Sequence, residues 1–257
     1  MTGAIQPESE LEPQRSLVRA ELASEGLLLV GVVEAPNAGI FFVSTDAATG
    51  YPRGVTVALG AELARSLAVG VEYRVFPNSG ECTDAVSNGS VAVAFMPVDD
   101  ERRSKVDFGP AYYQLESTYL ATSESGIATL ADVDVAGVRV IGIANTTTIR
   151  AAARTLTNTR PDAVRSVAEA VQRLMTGTAD AFALSRDALA PLLVTIPGSH
   201  IVDGSFHRTN IAIAVAKEHP AALVYVTAFI ERVKASGVVR RIFDDAGLER
   251  EAVAPPI

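Results

Sequence analysis

Arg102 is the side chain of this sequence best suited to gripping a small charged solute, because a guanidinium presents a planar fork of donors that a carboxylate meets with two parallel hydrogen bonds. Asp99 and Glu101 stand near enough along the chain to pair with it instead, which would make Arg102 an ordinary surface residue. A run of hydroxyls, Thr146-Thr147-Thr148, opens a predicted helix. Free N–H groups, hydroxyls and the positive helix end suit an anion there, and Thr146 or Asn145 equally serves as a plain helix cap. Phe41, Phe42 and Tyr51 offer aromatic faces to a solute or to the core. Glu34 follows the first predicted strand, where strand ends open onto clefts in α/β folds; it can accept a cationic group or stay solvated.

The remaining chemistry-bearing residues are sparse. His200, His207 and His219 lie in the later third, and solvent exposure is the simplest reading of all three. Cys82 is alone, so it forms no internal disulfide, and a single Cys with few His makes no zinc site; it reads as a small buried filler. No Gly-x-Ser-x-Gly, P-loop or metal-ligand spacing occurs, so hydrolase, NTPase and metalloenzyme readings have no support and no cofactor or metal is expected.

The elements that must position these residues follow from pattern. Residues 16–24 read as a helix stopped by Gly26, and Leu27 to Val33 is a continuous apolar run, the pattern of a strand covered on both faces. A turn-rich stretch from Glu34 to Arg53 holds Pro36, Asn37, Gly39, Gly50 and Pro52. Helix Val55–Val69, strand Val71–Phe76, helix Thr83–Ser87 and strand Val91–Met96 come next. A second set follows: helices at 129–133, 147–156, 167–176 and 185–193, with strands at 138–143 and 179–184. A strand at 211–216 and helices at 221–235 and 238–246 return the chain to the first unit. Alternation of this kind builds parallel sheets with helices on both faces, so the predicted class is α/β. At 257 residues, 48% hydrophobic and 20% charged, the chain can bury a core in one large domain or two lobes.

A net charge of −8, with no basic cluster longer than Arg102-Arg103 or Arg240-Arg241, argues against a nucleic-acid partner. No apolar stretch is long enough to span a membrane, and the opening MTGAIQPESELEPQ lacks a basic and an apolar region of the export type. Cytoplasmic residence is the expectation if the chain is complete, and periplasmic residence if a signal has been removed. No heptad or exposed helical stripe argues for assembly, so a monomer is expected.

Several segments share one pattern: GLLLVGV (Gly26 to Val32), GYPRGVTVALGAELARSL (Gly50 to Leu67), LADVDVAGVRVIGIANTTT (Leu130 to Thr148), MTGTADAFALS (Met175 to Ser185) and IAIAVAKEHP (Ile211 to Pro220). The most specific is DDERRSKVDFGPAYY (Asp99 to Tyr113), where Arg102, Val106, Asp107, Phe108 and Tyr112 fall in register with a Thr-Pro-x-Arg-x-x-x-Val-Asp-Phe-Ser-x-Pro-Tyr stretch. From about Leu17 to Ala246 the chain resembles the polar-amino-acid type of solute-binding protein, family 3 of the type II periplasmic-binding fold. The resemblance implies two lobes, each a mostly parallel sheet flanked by helices, joined by two hinge strands near Thr118–Thr122 and Arg208–Ile211. It divides the chain into 1–120 plus 211–257 and 121–210, with a cleft between that closes on a small-molecule solute and presents the closed form to an ABC permease. It also implies that Arg102 and the threonine turn at Thr146 and Thr147 hold a solute carboxylate.

Two departures bear on the solute. Where the family has Thr, three residues before its Arg, this chain has Asp99, which can neutralise Arg102. The family's amino-acid binders place an Asp five residues past the Asp of Asp-Ala to hold the ammonium group; counted from Asp180 that position is Ser185, followed by Arg186. A carboxylate-like anion without an α-ammonium group fits that pair better than an ordinary amino acid. The same scaffold resembles cyclohexadienyl dehydratases, so an enzyme using His207 as acid, or a ligand sensor lacking a permease, are the alternatives.

Overall fold

The computed structural model describes residues 16–34 and 39–257. The predicted turn residues Pro36 and Asn37 lie outside them. A helix α1 over residues 16–22 leads through Gly26, at φ 77°, into strand β1 (Leu27–Glu34). Two short strands, β2 (Phe42–Thr45) and β3 (Pro52–Arg53), occupy the stretch read from sequence as a loop. They are followed by α2 (Val55–Leu67), β4 (Gly70–Phe76), α3 (Ser79–Ser87), β5 (Val93–Pro97), one turn of helix α4 (Asp100–Arg103) and the long strand β6 (Val106–Ala121). The second set comprises α5 (Leu130–Val133), β7 (Val140–Ile143), α6 (Thr147–Thr155), β8 (Asp162–Val164), α7 (Val167–Met175), β9 (Ala181–Ser185), α8 (Arg186–Leu189), α9 (Leu192–Thr195) and β10 (His200–Ile201). Strand β11 (His207–Ala216) and helices α10 (Pro220–Ala235) and α11 (Val238–Asp245) complete the order.

β1 pairs parallel with β2, β4 and β5, and β7 pairs parallel with β8 and β9. Two antiparallel strands link these groups. β11 pairs with β5 and runs along β6 from Val106 to Ser117, while Ser117 to Ala121 of β6 pair with β9. The end of β6 falls on the hinge strand expected near Thr118–Thr122, but its long first part was not anticipated, because Gly109 and Pro110 interrupt its apolar pattern; they fall where the β6–β11 register slips, a place where a strand tolerates proline. The predicted helix 185–193 is instead two short helices with Pro191 between them, since proline lacks the N–H that would continue the first.

The buried apolar residues form separate clusters. One joins residues of α1 through β6 to β11, α10 and α11, with Leu28, Leu59, Phe95, Tyr112, Phe229 and Phe243 fully covered. The others lie within 119–202, around Phe182 and Ile141 and around Tyr119 and Val133. Among the described residues no helix is long and apolar enough to cross a membrane.

Candidate functional site

Three helix starts meet where the two groups of elements face each other. At α3, Asn78 caps by accepting from Glu81 N at 2.9 Å, which puts Ser79 on the first helical turn. At α4, the Asp99 carboxylate accepts from Arg102 N at 2.9 Å. At α6, Asn145 takes φ 59°, a conformation asparagine tolerates, and turns the chain so that Thr146 caps the helix by accepting from Ile149 N at 3.3 Å. Local sequence thus fixes every backbone from which the polar groups project.

Arg102 is 3% exposed and its fork is committed within the protein. Nη1 donates to the Pro97 carbonyl (2.9 Å) and to Thr147 Oγ1 (2.6 Å), and Nη2 donates to Ser79 Oγ (2.6 Å). The Thr147 hydroxyl in turn donates a hydrogen bond to Asp99 Oδ2 at 3.2 Å, and Arg150, one turn further along α6, pairs with the same oxygen. Arg150 Nη1 also lies 3.3 Å from Glu101 Oε2. Burial pulls the Arg102 guanidinium down to about 10, with Asp99 opposing, so it stays charged at neutral pH. Burial alone would push the Asp99 carboxyl up; the Arg102 N–H and the Arg150 guanidinium outweigh it and hold it below the usual carboxylate range.

These bonds stand between two cavities. The inner one, about 180 Å³, is lined from one side by Glu34, Phe41, Phe42, Ser79 and Pro97 and from the other by Thr146, Thr147, Ser185 and Arg165, which pairs with Glu169. The outer one, about 280 Å³ and more polar, is lined by Arg102, Arg150, Lys105, Glu101 and Asn145. Phe41 and Phe42 stack at a tilt with centroids 4.8 Å apart. Glu34 ends β1 exposed, and its carboxylate accepts from Thr45 at 2.7 Å. Ser185 ends β9 at 2% exposure with its hydroxyl unpartnered.

Of the residues singled out in the sequence, then, Glu34, Phe42, Thr146, Thr147 and Ser185 share the inner cavity. Arg102 faces the outer one, and Asp99 lies between Arg102 and Arg150 and lines neither. Tyr51 does not belong with them: it is 70% exposed at the tip of the β2–β3 hairpin, where its backbone closes the turn with Asp46. Arg186 turns from the inner cavity to the Gly204 carbonyl (2.5 Å) and Glu116 (3.6 Å), so it lends the cavity no charge. His207 sits on β11 opposite Ser117, outside both cavities, and burial lowers its pKa. Among the described residues no cluster of His, Cys, Asp and Glu is placed to hold a metal.

The model for bacterial extracellular solute-binding proteins, family 3, matches residues 40–247. This chain belongs to the family 3 solute-binding proteins. Its fold is that of solved amino-acid-binding relatives. A binding component of an ABC transporter from Wolinella succinogenes, complexed with lysine, superposes with a TM-score of 0.76 at 21% identity, covering 86% of this chain and 96% of that one. A mutant of ArgBP from T. maritima gives 0.75 at 23%, covering 90% and 99%. The ancestral amino-acid-binding protein AncCDT-1, a precursor of cyclohexadienyl dehydratase, gives 0.75 at 25%, covering 90% and 98%. No curated protein matches the chain.

In this solute-binding protein, sequence reasoning missed Ser79, Arg150 and Asp187. Arg150 carried a signal, since it follows Thr146 and Thr147 at the helical spacings of four and three that place side chains on one face. Ser79 carried one too, next to the capping Asn78. Asp187 lies two residues past Ser185; its Oδ1 is buried without a partner, and burial raises its pKa.

Proposed function

We propose that this protein is the solute receptor of an ABC importer, and that its solute is a small molecule of amino-acid size bearing a cationic group. In this reading the two lobes divide β6 near Ser117 and β11 near Arg208, slightly before the boundaries suggested by the sequence, and close on the inner cavity. A closed receptor is then the form a permease engages. The observation that carries the reading is the make-up of that cavity: an exposed carboxylate, Glu34, beside two aromatic rings, facing hydroxyls and Arg165, whose guanidinium is paired with Glu169. A carboxylate and ring faces together favour a cation, and about 180 Å³ suits one small molecule rather than a peptide. The lysine held by the Wolinella succinogenes relative supports the same solute class.

The test is a thermal-shift screen of amino acids, amines and organic acids, with calorimetry on each hit and mass spectrometry for products. Cationic compounds are expected to stabilise the protein without turnover, and Glu34→Gln to weaken them about tenfold, as loss of one charge-assisted hydrogen bond implies. Stabilisation by organic acids alone, or the appearance of product, would overturn this reading. Product would favour the dehydratase alternative, which the match to a dehydratase precursor keeps in view.

A further inference from the structure

We infer that Asp99 is a built-in occupant of the carboxylate subsite, so that this protein takes a cationic solute lacking the α-carboxylate, an amine rather than its parent amino acid. The inference rests on the receptor reading above and narrows it.

Four observations converge. First, the place suits an anion: the first turns of α3 and α6 are neighbours, since a Cβ at Gly80 would lie 3.8 Å from the Asn145 side chain just before α6, and Arg102 and Arg150 lie beside them. Second, an anion already fills it. The Asp99 carboxylate accepts from Arg102 N, Thr147 and Arg150, and stands 3.9 Å from Arg102 Nη1. Third, the charges balance without any solute, Arg102 and Arg150 against Asp99 and Glu101. A solute carboxylate would have to displace Thr147 or Ser79 from the fork while meeting the charge of Asp99. Fourth, Arg102 does not line the inner cavity, whereas Glu34 does, and Arg165, which also lines it, is paired with Glu169.

The same contacts join the two sides of the cleft directly, from α4 to α6. Asp99 is therefore also a tie between the two sides of the cleft.

Asp99→Thr tests this while keeping a competent helix cap. Calorimetry would compare lysine with cadaverine and arginine with agmatine, on both proteins. The wild type is expected to bind an amine at least about tenfold more tightly than its parent amino acid, and the variant to reverse the order. A wild type that prefers the amino acid, with the preference unchanged in Asp99→Thr, would overturn the inference and leave the receptor reading intact. Failure of both proteins to bind any of the four would sink the cationic-solute reading instead. A solute-free melting cycle of Asp99→Thr, Arg150→Gln and the double variant then decides the bridge. A double variant that melts no lower than the worse single one supports it, and additive losses overturn it.

Discussion

Asp187 shows what burial costs a charge when nearby donors, the Ser185 hydroxyl and the Ala188 N–H, only partly offset it. Its Oδ1 is buried and unpartnered, and a Cβ on Gly39 would come within 3.1 Å of Oδ2. With its pKa raised, the stability it contributes is complete below the ordinary carboxylate value near 4 and is lost as pH rises through the folded value. Asp187→Asn is expected to raise Tm by about 3 °C at pH 7 and to converge on the wild type near pH 4, as read by melting curves across that range. Asp99 behaves oppositely. Its depressed pKa means that the bridge is complete above about pH 4 and fails only as pH falls below that value, so cleft behaviour between pH 5 and 8 should not depend on it. Cys82 is fully buried and its thiol is pushed up to about 12, so thiol reagents should label it only after unfolding. At this scale the sequence was legible in type but not in direction. Thr146, Thr147 and Glu34 do line the inner cavity, while nothing local told that Tyr51 points outward or that Arg102 spends its donors on Pro97, Ser79 and Thr147.

Helix α6 is the element on which the cleft depends, since its first turns carry Thr147 and Arg150 across to α4. Thr146 fixes its start, accepting from Ile149 N and donating to the Ile143 carbonyl at 2.8 Å. Thr146→Ala should cost about 1 kcal/mol, roughly 3 °C in Tm, and should weaken solute binding by displacing Thr147. On its inner face α6 packs so closely on β7 that a Cβ at Gly142 would lie 3.0 Å from Ile149. Gly142→Ala is therefore expected to lower Tm by several degrees, the cost of an overpacked contact. Elements with unbroken apolar runs, such as β1 and β9, were readable to within a residue or two. The first part of β6 was not, because the glycine and proline that mark its bulge look like a turn until β11 is known to lie beside it.

At the scale of the whole molecule, the buried clusters fall into two sets linked by the paired strands β6 and β11 and by the polar contacts between α4 and α6. The alternation of strands and helices made this architecture legible, and the family pattern around Arg102 reinforced it. What it withheld was the polar contact between α4 and α6, because Asp99 and Arg150 lie 51 residues apart along the chain. Motion about β6 and β11 is the central claim. It is tested most directly by the distance between spin labels at Ser87 and Thr176, exposed positions at the ends of α3 and α7, with buried Cys82 unreactive. The account predicts that the compound giving the largest thermal shift narrows that distribution to its shorter distances. A distribution unchanged by a compound that demonstrably binds would contradict closure, and with it the receptor mechanism.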